Sequence, residues 1–232
     1  MGRGHEGRDY GWGLGEVMRL RHARIELELH ELSRRDGPAL LLLHALGGSS
    51  ADWAEAAALW PGRVYALDFC GHGRSQWVRG GVYYPELLAG DADSALAHLG
   101  TAALAGAGVG AYVALLLAGG RPRQVSGALL LPGRGVTGGG AEPNFDRPAT
   151  AVFTPDPDAP LPPGCDPLLG AMERDPRPPD YALRLAAAAR RLLLLENGET
   201  APPWWAAVRQ AATARVVSGD LHSGLRQLAA DC

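Results

Sequence analysis

Lysine is absent from this chain, and the 22 basic side chains other than histidine are all arginine. A compositional bias toward Ala, Gly, Arg and Pro accounts for that absence, which carries no functional weight. Cysteine is scarce. Cys70, Cys165 and Cys232 are odd in number and widely spaced, so neither a disulfide framework nor a clustered metal site is indicated. No apolar run is long enough to span a membrane. The opening M-G-R-G-H-E-G-R-D-Y-G-W lacks the apolar core of a signal peptide, and Glu6 stands where a myristoylation signal needs Ser or Thr. Neither acidic nor basic residues are in marked excess. A net charge of −3 gives no reason to expect a nucleic acid or an anionic membrane as partner. The expectation is a cytoplasmic protein, without a cofactor and with its protein partners unknown.

What is present is an ordinary globular composition, 47% apolar and 20% charged over 232 residues, enough for one domain with a substantial core. Residues 1–15 read as a loose arm and 16–232 as a single domain. Val17 to Arg21 and Ile25 to His30 read as a half-exposed antiparallel hairpin, the second strand alternating Ile25, Leu27, Leu29 against Glu26, Glu28, His30. Ala39–Leu43, Val64–Phe69, Gly127–Leu131 and Leu192–Leu195 are continuous apolar runs, the mark of strands covered on both faces. A helix capped by Ser49 or Ser50 is expected through about Leu59, and others over Tyr84–Leu99, Tyr181–Arg191, Pro203–Ala212 and Leu221–Ala230. Strands alternating with helices predict an α/β protein with a mostly parallel sheet. Residues 132–180 differ: two-thirds of the 18 prolines fall between Pro132 and Pro179, and a lid insertion is expected there.

The organising stretch is T-A-A-L-A-G-A-G-V-G-A-Y-V-A-L-L-L-A-G-G, Thr101 to Gly120. An apolar strand runs into a turn crowded by Gly106, Gly108 and Gly110, and a buried helix comes next. This is the layout of a nucleophile elbow, G-x-S-x-G, with glycine at the serine position. The same letters would suit a phosphate-cradling turn of a dinucleotide fold. That reading fails because the turn is the third motif of the chain rather than the first, and no acidic residue ends the next strand.

Three motifs succeed three consecutive strands: His44-Ala45-Leu46-Gly47-Gly48, then Asp68-Phe69-Cys70-Gly71-His72-Gly73-Arg74-Ser75, then Gly106-Ala107-Gly108-Val109-Gly110. In that order they resemble the H-G-x-G, D-x-x-G-H-G-x-S and G-x-S-x-G motifs of the α/β-hydrolase superfamily, over roughly residues 17 to 230. The resemblance implies the α/β-hydrolase fold, a mostly parallel central sheet with helices on both faces and a short Pro-rich lid. It implies an oxyanion hole made by the backbone N–H groups of Leu46 and Val109, and a catalytic histidine at His222. It also exposes departures. Gly108, at the nucleophile position, has no hydroxyl and cannot form an acyl intermediate. Counting on from Gly198 puts Ala201 where the triad acid belongs, with Glu196 and Glu199 as the nearby substitutes.

Two readings stand for His222: a general base, or a residue satisfied by a backbone carbonyl. His44 and His72 are expected to organise loops, and Asp68 and Ser75 to tie the loop after their strand. Cys70 is the alternative nucleophile, paired with His222. Trp53, Trp77, Trp204 and Trp205 are read as lining an apolar pocket or as plain core or surface tryptophans. Three functions remain. One is a hydrolase-derived protein, without serine hydrolysis, that keeps a pocket for a small apolar carbonyl-containing molecule. Another is an enzyme of non-serine, esterase- or lactonase-like chemistry with His222 as base. The third is a partner-binding pseudoenzyme.

Overall fold

A computed structural model describes residues 16–78, 82–136, 161–174 and 177–230. The expected arm and most of the expected lid insertion lie outside the described residues. Eight strands form one sheet: β1 (Val17–His22), β2 (Ile25–Arg34), β3 (Leu40–Leu43), β4 (Arg63–Asp68), β5 (Ala102–Ala107), β6 (Val125–Leu131), β7 (Leu192–Glu196) and β8 (Ala214–Ser218), in the order β1-β2-β4-β3-β5-β6-β7-β8. β1 and β2 pair antiparallel, as does β2 with β4; every pair from β4 through β8 is parallel.

The leucine runs explain the layering. In β3, Leu41 and Leu43 join the core beneath α2 (Pro85–Leu99) and α3 (Val109–Gly120), while Leu40 and Leu42 face the opposite layer. Leu192 and Leu194 of β7 likewise split from Leu193 and Leu195. A period of two with apolar residues at every position requires cover on both sides. α2, α3 and α4 (Pro179–Ala188) supply one cover. The second layer holds Trp53, Trp60, Leu225 and Leu228, from around α1 (Ala56–Leu59) and from α6 (Leu221–Ala229).

Two expected helices are shorter than predicted. Ser49 does cap, accepting from the Ala51 N–H, with Asp52 bonding back to the Ser49 N–H. The cap opens a 3₁₀ turn, Ser50–Trp53, and α1 is a separate helix beyond it. The first turn is pinned by the Ser50 N–H on the Asp68 carboxylate at 2.7 Å, and Trp53 is buried, so the chain re-aims before α1. The expected helix over Pro203–Ala212 is only α5 (Trp205–Val208), between turns that bury Trp204 and Ala211.

The order β4-β3-β5 matters for function. β3 lies between β4 and β5, with Leu43 in register with Leu67 and Gly106. The connection from β3 runs to β4 and that from its neighbour β5 runs the opposite way to β6, a strand-order switch that places a crevice at their C-terminal ends. The three motifs meet there.

His22, closing β1, donates from Nδ1 to the fully buried Asp91 of α2 at 2.7 Å. The other Asp91 oxygen accepts the Cys70 N–H at 2.9 Å. The hydrogen bond to Asp91 raises the His22 pKa above 6.5; burial opposes the rise, and the charges of Asp91 and Asp93 add to it. A histidine raised on folding stabilises fully below its unfolded pKa, and that contribution is lost as pH rises through the folded value. His22→Asn should therefore lose more stability against the native protein in slightly acidic solution than in alkaline solution, measured by urea denaturation. A gap that does not change with pH would contradict the assigned pair.

Candidate functional site

β5 runs straight into the elbow. Gly108 has φ 55° and ψ −119°, the left-handed turn expected of this position, and α3 starts at the next residue. The flanking glycines are set by packing: a Cβ on Gly106 would overlap the Gly110 carbonyl, and one on Gly110 the Leu43 carbonyl. Strand and helix backbones are in direct contact.

The N–H groups of Leu46 and Val109 converge, as an oxyanion hole requires. Both donate to one oxygen, the backbone carbonyl of Arg134, at 3.1 and 3.0 Å. Arg134 belongs to a strap, Pro132–Val136, that leaves β6 and lies over the elbow. The strap starts with the Leu131 carbonyl accepting the Gly108 N–H at 3.2 Å. A Cβ on Gly108 would overlap the Arg134 carbonyl and crowd its backbone nitrogen. The space of a serine side chain is thus filled by the protein's own main chain.

The strap is bent at a cost. Gly133 and Gly135 have φ 156° and 95°, and Val136, a β-branched residue, has φ 54°. Left-handed valine is strained by about 1–3 kcal/mol. Val136 is held there by complete burial, by its N–H donating to the Met172 carbonyl at 3.0 Å, and by Trp204 Nε1 donating to its carbonyl at 3.0 Å. Arg134 pairs by its guanidinium with Glu173. Met172 and Glu173 lie on a 3₁₀ helix, Pro167–Arg174. The same segment reaches the other two motif loops: the Asp166 N–H donates to the Gly71 carbonyl at 3.0 Å, and Cys165 Sγ to the Gly47 carbonyl at 3.6 Å. Tyr83 donates to Asp166 at 2.9 Å.

The other motif residues tie loops. His44 donates from Nδ1 to the Ala45 carbonyl at 2.8 Å and accepts the Phe69 N–H at Nε2, so it is neutral; burial lowers its pKa. His72 donates to the Cys70 carbonyl at 3.2 Å, and burial, helped by neighbouring His44, pushes its pKa down to about 3. Asp68 accepts from His30 at 3.1 Å and from the N–H groups of Ser50 and Arg74. Burial disfavours its charge, but these donors and His44 outweigh it and hold the carboxyl below the usual range. Ser75 donates to the Asp68 carbonyl and accepts the Glu28 N–H. The Cys70 thiol is pushed far up, by burial first and then by Asp91, and stays protonated. Of the tryptophans, Trp53, Trp204 and Trp205 are core, and Trp77 is exposed.

Leu46, Gly108 and Val109 are therefore brought together on Arg134. His222 is exposed in the first turn of α6, with Arg226 donating to its Nε2 at 3.2 Å. Glu196 pairs with Arg209, Glu199 is exposed, and Ala201 packs at the edge of the core. Sequence reading misses the strap, because Pro132-Gly133 reads as a strand terminator. The signal that could have found it is glycine on both sides of Arg134.

No protein-family model matches the chain, and no curated protein matches it. Solved structures do. A hypothetical protein from Pseudomonas aeruginosa PAO1 is 21% identical, covers 94% of this chain and 98% of its own, and superposes with a TM-score of 0.67. The thioesterase domain from the curacin biosynthetic pathway is 18% identical over 94% of this chain and 97% of its own, with a TM-score of 0.70. The bottromycin epimerase BotH, in complex with bottromycin A2, is 19% identical over 94% and 100%, at 0.63. Lipase, thioesterase, dehalogenase and deformylase structures among the matches share one architecture. The chain has the α/β-hydrolase fold. Within that fold, its elbow is closed by its own backbone.

Any Cβ at position 108 must adopt a disfavoured φ and push the strap aside. Gly108→Ala should destabilise the protein by about 2–5 kcal/mol, combining backbone strain and overpacking. Urea denaturation measures it. Unchanged stability would mean the Arg134 carbonyl does not occupy the elbow.

Proposed function

We propose that this α/β-hydrolase-fold protein performs no serine hydrolysis and is a non-hydrolytic, ligand-binding member of that architecture. One observation carries the reading: the Arg134 carbonyl takes both oxyanion-type N–H groups and covers a glycine where the nucleophile would stand. Hydrolysis through an acyl intermediate needs a nucleophile and a vacant electrostatic site for the developing oxyanion. Glycine at the elbow position, and the Arg134 carbonyl on both N–H groups, support the reading that neither requirement is met at this turn. The surrounding loops retain the buried, fully bonded arrangement of Asp68, His44 and Ser75, which supports a preserved scaffold rather than a collapsed one. The ligand class we assign is a small apolar molecule bearing a carbonyl or carboxylate, matched to two convergent N–H donors.

The second reading, an enzyme of non-serine chemistry, draws support from the fold's occurrence in the bottromycin epimerase. With His222 as base it would need that side chain to leave Arg226 and reach the crevice. The thiol alternative is disfavoured by the burial of Cys70.

Purified protein should show no burst with an activated ester and no covalent labelling by a fluorophosphonate. Gly108→Ser alone should not restore turnover, because Ala201 offers no carboxylate to orient a histidine. Stoichiometric labelling of the native protein would overturn the reading. Loss of such labelling in Cys70→Ala would transfer the chemistry to the thiol.

A further inference from the structure

Two of the contacts that hold the strap come from one segment. Met172 accepts the Val136 N–H and Glu173 pairs with Arg134, while Trp204 donates to the Val136 carbonyl from elsewhere. The strap's own backbone carries glycine on both sides of Arg134 and left-handed strain at Val136. A peptide flanked by glycines can rotate with little steric resistance. Strain at a residue beside an occupied site favours departure once the surrounding restraints loosen. The Arg134–Glu173 pair is half-shielded, with side-chain exposures of 31% and 11%, so it retains electrostatic weight that a solvated pair lacks.

We propose that Pro132–Val136 is a displaceable self-ligand. When Arg134 parts from Glu173 and Val136 from Met172, the Arg134 carbonyl withdraws from the Leu46 and Val109 N–H groups. A carbonyl or carboxylate oxygen of an incoming small molecule then takes its place. No bond is made or broken; one acceptor replaces another on the same two donors. The segment carrying Asp166, Met172 and Glu173 thus couples the loops at Gly71 and Gly47 to the state of the elbow. A ligand binding a site that is open only a fraction of the time is weakened by that fraction. The contacts that hold the strap therefore set the apparent affinity. This inference rests on the reading that the two donors are occupied by Arg134 at rest.

The test is amide hydrogen exchange by NMR on the full chain, in native protein, Arg134→Gln, Glu173→Gln and the double variant. In each single variant the Leu46 and Val109 amides should exchange together, about ten-fold faster, through loss of one charge-assisted hydrogen bond. The Leu104 amide in β5 should not change. The double variant should exchange at least as fast as either single one. Butyrate, as probe, should shift both amides at about ten-fold lower concentration in Glu173→Gln than in native protein. Should Glu173→Gln fail to fold, Arg134→Gln decides. Unchanged exchange at Leu46 and Val109 in the variants overturns the inference, and so does acceleration matched at Leu104, which reports global unfolding. Slow exchange in every variant, with no ester turnover, would sink the inference and leave the proposed function standing. Fast exchange in the native protein would remove both.

Discussion

Two backbone N–H groups pointing at one carbonyl oxygen constrain everything around them. Leu46 and Val109 are placed by β3 and α3, which the sheet order and the glycines at 106 and 110 force into contact. That geometry presents two donors on buried residues, and buried donors left without acceptors cost about 1–3 kcal/mol each. The Arg134 carbonyl meets both. The strain at Val136, about 1–3 kcal/mol, is the smaller quantity, and the complete burial of its side chain offsets part of it. A left-handed valine is thus stable in a well-packed protein because releasing it would expose two unmet donors.

The same constraint explains why glycine suits position 108. In a serine enzyme the elbow residue carries a strained φ and projects a side chain into the substrate space. Here the strained φ remains, at 55°, and the side-chain space belongs to Arg134. Glycine relieves the strain and admits the strap at once. The buried histidines fit a structural role in turn: His44 and His72 are neutral, each spending its Nδ1 proton on a neighbouring carbonyl.

Much of the fold was legible in the sequence. The leucine runs of β3 and β7, the alternation of β2 and the small residues of the elbow each have one physical explanation, and the structure supplies it. Helix extents near Trp53 and Trp204 were less legible, because burial of large rings against distant strands overrode local propensity. The site was legible only by halves. Leu46, Gly108 and Val109 could be placed by motif, since strand order fixes them. Arg134 could not, because the group that matters is a carbonyl that every residue possesses. Its position depends on a bend set by Met172 and Trp204, residues 36 and 68 positions away from Val136. Chain order alone points to His222, and order does not state whether a side chain faces the crevice or, as here, Arg226 and solvent.

A single acceptor serving two donors is directly observable. Scalar couplings across hydrogen bonds, recorded in a long-range HNCO experiment on uniformly labelled protein, connect each amide nitrogen to the carbonyl carbon that accepts from it. The Leu46 and Val109 amides should both correlate with the Arg134 carbonyl carbon. Absence of both correlations, with the two amides open to solvent exchange, would contradict the account: the elbow would then be vacant and the strap elsewhere.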